Sequence, residues 1–294
     1  MQRRATPEDA GARLDAFLAA PLGSRARAQR LIEAGHVLVD GRAAPKRHLL
    51  SAGELVTVDE PEEVPAPDVP DAPYAVPYSD EHLLVADKPA GVVVHPARGH
   101  RTGTLAQALS PIAAGGEDAA RAGIVHRLDR DTSGLLVVAR SEAVHRALRN
   151  ALQARAITRE YLVLVEGRPP ARSGTIDAPL GRDRRVRTRM STDTDDPHSA
   201  VTHFEIEEAL PRTTLLRVRL ETGRTHQIRA HLKAIDHPVV GDPEYGTPGR
   251  LGLERQFLHA ARLAFAHPVT GAPVDVSSPL PEDLRAALAL ARAE

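Results

Sequence analysis

Asp129 stands between Arg127 and Arg130 in the run His126-Arg-Leu-Asp-Arg-Asp-Thr-Ser-Gly134. Positive neighbours favour an ionised carboxylate, and an ionised Asp at a strand end can serve as nucleophile or base. The run also holds His126, Thr132 and Ser133, and a structural turn needs Asp, Ser and Gly but not a carboxylate locked between arginines; a solvated, salt-bridged turn is the plain alternative. Lys88, in the turn Lys88-Pro-Ala-Gly91, can approach a phosphate or simply connect two strands. Tyr161 is one of four tyrosines, and its ring can pack in a core or face a planar ligand. Arg224 precedes a helix, where free amides favour an anion, and it can hold a phosphate or the Asp129 carboxylate. Arg182, Arg184, Arg185, Arg187 and Arg189 crowd the run Gly181–Met190, either a solvated surface or a clamp on a nucleic-acid backbone. His226 and His231 fall on different helix faces with no usefully spaced third ligand, so no metal is expected.

These residues need elements to hold them. Two apolar runs, Gly123–Val125 and Leu135–Ala139, bracket the Asp129 turn and predict short buried strands. Two more flank the Lys88 turn within residues 83–96. Thr104–Leu109 predicts a short helix, and Ser141 caps another that buries Val144, Ala147, Leu148 and Ala151. Residues 157–167 read as a strand carrying Tyr161, and Thr213–Thr222 as a second. From Thr225 a helix with the buried stripe Ile228, Leu232 and Ile235 follows. The arginine-rich run keeps neither period and reads as a mobile hairpin or loop. Segments 237–246, 255–260 and 267–268 read as packing and connection, and a last helix starts near Glu282.

Residues 1–60 predict a separate small unit. Leu14, Phe17 and Leu18 share a helical face; a second helix runs from the cap Ser24 to Gly35 and carries Arg25, Arg27 and Arg30 on its outer face. Strands are expected at His36–Val39 and Glu54–Val58, with an Asp40-Gly41 turn between them and Lys46 beyond it. Residues 61–75 form an acidic, Pro-rich linker, and 76–294 a larger domain. Thr57–Glu81 holds eight of the 39 acidic residues and no Lys or Arg, so the rest of the chain is basic although the net charge is −1. Cysteine is absent, which excludes disulfides, thiolate catalysis and Cys-ligated zinc. The first ten residues lack the apolar core of a secretion signal, and no apolar run nears the ~20 residues of a membrane span. A soluble cytoplasmic protein is expected.

The front unit resembles the small RNA-binding domain named after ribosomal protein S-four, through Arg13-Leu-Asp15, Ser24-Arg25, Gly35–Gly41 and Gly53–Val58. The larger domain resembles the RluA-type pseudouridine synthases, through Lys88–Gly91, Val125–Gly134, Tyr161–Gly167 and Thr222–Leu232. The paired domains resemble the RluC and RluD branch, although Ser199-Ala-Val-Thr202 departs from that branch's basic-Pro-Ala-hydrophobic-Thr pattern. The resemblance implies an α+β fold with a large mixed, mostly antiparallel sheet beside a small α/β domain. It also implies an RNA pseudouridine synthase, an isomerase acting on large-subunit ribosomal RNA as a monomer without a cofactor. By motif, Asp129 is catalytic, Arg224 pairs with it, Tyr161 stacks on the uracil, and Arg127 fills the place of the flipped nucleotide. His126, Arg130, Thr132, Lys88 and the arginines named above then face RNA. A non-catalytic RNA-binding or ribosome-assembly protein that kept the fold is the alternative, disfavoured by the presence of Asp129, Tyr161 and Arg224. A hydrolase using Ser133 ranks last, for lack of a Gly-x-Ser-x-Gly elbow.

Overall fold

The structure is a computed structural model. It describes residues 1–59, 72–97, 100–116, 121, 123–186 and 188–294, without the side chains of Ala26 and Arg30. Most of the expected linker, together with Arg187 and the Arg30 side chain, therefore lies outside the described residues. The chain divides into two compact units, Met1–Asp68 and Val69–Glu294.

In the first unit, strands β1 (Gln2–Arg4), β2 (Val37–Val39), β3 (Arg42–Ala43) and β4 (Leu55–Val58) pair antiparallel in the order β1-β4-β2-β3. Asp40 and Gly41 both have positive φ, the backbone a two-residue hairpin between β2 and β3 needs. Helices α1 (Leu14–Phe17) and α2 (Arg25–Glu33) cover the sheet with a core that includes Leu14, Leu18, Ile32, Val37 and Val56.

The second unit is built on a nine-stranded sheet. Its strands are β5 (Ala75–Ser79), β6 (Leu83–Lys88), β7 (Ser133–Ala139), β8 (Thr158–Glu166), β9 (Ser173–Asp177), β12 (Val201–Ala209), β13 (Thr213–Leu220), β14 (Leu258–Ala266) and β15 (Pro273–Ser277). The order is β5-β6-β7-β14-β8-β13-β12-β9, with β15 on β14; only the β7–β14 pairing is parallel. A separate short hairpin joins β10 (Gly181–Arg182) to β11 (Met190–Ser191).

Alternation along the strands gives the sheet an apolar layer on each face. Leu83, Val85, Leu135 and Val137 pack against Val144 and Leu148 of α4 (Glu142–Gln153). Leu84, Ala86, Leu136 and Val138 share a cluster with α3 (Leu105–Leu109), α5 (Gln227–Ala234) and α6 (Glu282–Ala293). Ser141 accepts from the Val144 amide at 3.3 Å and so starts α4 where its sequence calls for a cap. The second run of the Lys88 turn is not a strand: the carbonyls of Val93 and Val94 are spent on the first amides of α3, at 2.9 Å each. Among the described residues no helix is long and apolar enough to cross a membrane.

Candidate active site

The Asp129 turn feeds directly into β7 at the middle of the sheet. Gly134 has φ 112°, and a Cβ there would lie 2.3 Å from the Ala260 carbonyl, so only glycine lets β7 run beside β14 at this point. The turn closes through the Thr132 amide on the Asp129 carbonyl at 3.1 Å. Two buried cations pin its next carbonyls. Lys88 donates to the carbonyls of Arg130 and Pro89 at 2.8 Å each. Arg255, held by Asp283 at 2.6 and 3.0 Å, donates to the Asp131 carbonyl at 2.9 Å. Lys88 is fully buried and thus shapes the turn; it is not a phosphate contact. Burial brings its ammonium down to about 7, against the opposing pull of Asp131 and Asp129.

Asp129 opens onto a cleft of about 1280 Å³ that Tyr161, Arg127 and Arg224 also line. The expected partners of its carboxylate are replaced. Arg130 turns outward and forks onto Asp131 at 2.9–3.1 Å, a pairing available between adjacent exposed side chains. Arg224 donates to the Ser199 carbonyl at 3.0 Å, and its amide is already taken by the Gln227 side chain at 2.9 Å, which removes the expected anion site. The guanidinium beside Asp129 belongs to Arg229, whose Nη1 lies 3.4 Å from Asp129 Oδ2.

Arg229 is buried on α5, its side chain 5 % exposed. Nε and Nη2 grip the fully buried Asp242 at 2.6 and 2.8 Å, and Nη2 also meets Glu244 at 2.9 Å. Burial opposes its charge, but the Asp242 bonds and the charges of Asp242, Asp129 and Glu244 outweigh burial and raise its pKa. Asp242 is fixed in turn by the amides of Glu244 and Tyr245, at 2.8 and 3.0 Å on Oδ1. Burial works against its carboxylate, and the Arg229 bonds prevail to lower its pKa. The Tyr245 ring lies 4.9 Å from the Arg229 guanidinium. Its hydroxyl accepts from the Met190 amide at 2.7 Å, which ties the arginine-rich hairpin to this cluster.

Tyr161 sits on β8, buried, with its ring on the cleft and packed in the main core. Burial pushes its phenol up; Arg159 opposes that shift and Asp129 adds to it. His126 Nε2 accepts from the Val137 amide at 3.1 Å, and burial, then Arg159, bring its imidazole down to about 3. It is a neutral brace between turn and strand. Thr132 is likewise buried and accepts from Gln256 at 3.1 Å. The Arg127 side chain is exposed at the cleft.

In the hairpin, Arg184 pairs with Asp193 and Asp195 at 2.9 Å each, so the acidic run after it neutralises part of its charge. Arg182 and Arg185 are exposed, and Arg189 lies 5.8 Å from the Tyr245 ring. In the first unit the buried Asp15 takes bonds from Arg13, Arg25 and Gln29. Burial raises its pKa, but those bonds lower it further, so a permanent carboxylate orients the half-exposed Arg25. Lys46 pairs with Glu33 at 2.6 Å, and Arg27 is exposed on α2. Ser133 and His259 do hydrogen bond, at 2.9 Å, but both are buried, and the other His259 nitrogen meets the Ser278 carbonyl at 3.1 Å. That pair braces β7 against β14 and has no route to a substrate.

Sequence reasoning missed Arg229, Asp242, Glu244, Tyr245 and Arg255. A signal existed for Arg229, three residues before the buried Leu232 and so on the same helix face. A site with one oriented carboxylate, a flanking aromatic ring and arginines at its rim suits an extruded planar base on a polyanionic strand.

Comparison with known proteins agrees with that class. Residues 82–234 match the RNA pseudouridylate synthase family, and residues 12–56 match the S4 domain. The chain is 48% identical over 291 residues to an uncharacterized RNA pseudouridine synthase of Chloroflexus aurantiacus, covering 96% of this chain and 90% of that one. It is 45% identical over 292 residues to ribosomal large subunit pseudouridine synthase D of Xanthomonas campestris, covering 94% and 88%. The solved structure of human RNA Pseudouridylate Synthase Domain Containing 1 aligns with a TM-score of 0.56 at 27% identity, over 71% of this chain and 84% of that one. This protein belongs to the RNA pseudouridylate synthase family and carries an S4 domain at its front. It is an isomerase acting on RNA, with the mixed, mostly antiparallel sheet its motifs imply.

Proposed function

We propose that this protein converts uridines of large-subunit ribosomal RNA to pseudouridine, acting as a cytoplasmic monomer. The observation that carries the reading is Asp129 opening onto a cleft shared with Tyr161, with Arg229 at 3.4 Å behind it. The printed name of the Xanthomonas relative supports the choice of RNA.

A stacked uracil cannot turn over, so the nucleotide must leave its helix at a cost of a few kcal/mol. Arg127, exposed on the Asp129 turn, suits the space that the nucleotide vacates. Arg25, Arg27 and Lys46 of the first unit and the hairpin arginines would offset the cost through backbone phosphates. In the cleft the Tyr161 ring offers the base a stacking face. The bond from N1 to C1′ breaks, the uracil turns, C5 bonds to C1′, C5 loses its proton and N1 gains one. The product is an isomer of the substrate, so no redox partner is needed. Attack on the ribose and support of an eliminated intermediate both need Asp129 ionised, and Arg229 supplies the neighbouring charge.

Mapping pseudouridines in large-subunit ribosomal RNA from cells with and without this protein tests the assignment. Discrete positions should revert to uridine in its absence and be restored by adding it back. An unchanged map overturns the proposed target.

A further inference from the structure

Of the three buried guanidiniums among the described residues, one lacks the acid that accompanies the other two. Arg229 has Asp242 and Arg255 has Asp283, but no carboxylate pairs with Arg159 among the described residues. Arg159 is 8 % exposed on β8, two residues before Tyr161, and both residues line the cleft. Its hydrogen bonds run from Nη2 alone, to the carbonyls of Leu220 and Glu221 at 3.3 Å each, the long end of the useful range. Its buried Nε has no partner. The nearby acids are engaged elsewhere. Glu221 meets His203 at 2.7 Å and also Arg155, while Glu160 points to the other face of the sheet, toward Arg217 and Arg262 at 3.4 and 3.3 Å.

A buried guanidinium with spare donors and no counter-ion is costly unless an anion completes it. The chain leaves room for one. Gly223, also on the cleft, has no Cβ, and a Cβ there would stand 2.9 Å from Arg159 Nη1. A neutral uracil oxygen would fill a hydrogen bond but would leave the charge unbalanced. A phosphodiester oxygen supplies both, and Arg forks suit phosphate.

We propose that Arg159, beneath the opening at Gly223, is a phosphate subsite for the RNA strand entering the cleft. Alternate side chains of a strand stand about 6.6 Å apart. The phosphate held by Arg159 therefore belongs to the nucleotide whose base lies on Tyr161 or to its immediate neighbour. This rests on the catalytic reading above, because it takes Tyr161 as the seat of the base.

The test uses the full chain and a fluorescein-labelled uridine decanucleotide, with anisotropy read from 50 to 300 mM KCl. Arg159→Gln should weaken binding about tenfold at low salt and lower the slope of log K against log salt by about 0.7, the loss of one single-strand phosphate contact. Arg159→Lys should keep the slope. Gly223→Ala, which crowds Nη1, should fall between wild type and Arg159→Gln and serves as readout should that variant fold poorly. Uridine 5′- or 3′-monophosphate should compete better than uridine against the wild type and no better against Arg159→Gln. An unmoved slope, or equal competition by uridine and both monophosphates in the wild type, overturns the subsite. A failed catalytic reading looks different: the ribosomal RNA map stays unchanged while the wild-type binding pattern persists.

Discussion

Replacing Arg229 by Met separates two duties that meet in one side chain. The first is structural, since Asp242 is fully buried with Nε and Nη2 of Arg229 at 2.6 and 2.8 Å. Removing the cation leaves an uncompensated buried carboxylate, which costs roughly 3–5 kcal/mol. For a unit of this size each kcal/mol moves Tm by about 2–4 °C, so Tm should fall by roughly 6–20 °C. The second duty is the contact from Nη1 to Asp129 at 3.4 Å. A hydrogen bond to a charged group is worth about 1.5–3 kcal/mol, which lowers kcat by roughly 10- to 150-fold if it is felt in the transition state. Arg229→Met combined with Asp242→Asn removes both charges yet keeps an oxygen for the amides of Glu244 and Tyr245. The double variant should recover most of the lost Tm and none of the lost turnover. Thermal melts give the first quantity. Tritium release from transcribed ribosomal RNA labelled at uracil C5 gives the second, because C5 loses its hydrogen in the reaction. Turnover that returns together with Tm would refute a role for Arg229 at Asp129.

Three other perturbations test separate parts of the account. Burial holds the folded Lys88 ammonium at about 7 against an ordinary value of 10.5, so the unfolded chain binds the extra proton between those values. Stability from this group is therefore lowest below pH 7 and rises toward pH 10, by up to about 1.4 kcal/mol per pH unit; Lys88→Met should flatten that rise in denaturant titrations at pH 7, 8 and 9. Tyr161→Phe keeps the stacking ring and loses the phenol. KM should stay within about threefold while kcat falls on the order of 100-fold, if the hydroxyl moves a proton; an unchanged kcat in the tritium assay leaves Tyr161 as a stacking surface only. A chain of residues 69–294 should bind ribosomal RNA roughly tenfold more weakly, with a flatter salt dependence, because it lacks the phosphate contacts assigned to Arg25, Arg27 and Lys46. Equal affinity and slope in filter binding would remove that unit from RNA recognition.

Local patterns made much of this legible. The cap at Ser141, the strands β8 and β13, the Asp40-Gly41 hairpin and the Asp129 turn are each fixed by residues within a few positions of one another. The rest depends on distant segments that compete for the same group. Arg229 lies on α5, whereas Arg224 precedes it across the left-handed His226 (φ 53°), so no helical spacing relates the two; Arg224 spends its Nε on the Ser199 carbonyl and its amide on Gln227, and Arg229 is the one that meets Asp129. Asp242 and Tyr245 read as connection in the sequence because their partners stand 13 and 55 residues away. In sequence the Lys88 turn leaves a phosphate contact and a strand connection both open, and the sheet decides for the second by burying the side chain against the Arg130 carbonyl.

The most direct measurement compares Asp129→Asn with the wild type for tritium release and for binding of the same ribosomal RNA. Asn fills the same volume and can still take a hydrogen bond from Arg229 Nη1, but it carries no charge. The account predicts release at background with RNA affinity within about threefold of the wild type. Wild-type release from Asp129→Asn would show that the chemistry belongs to another residue.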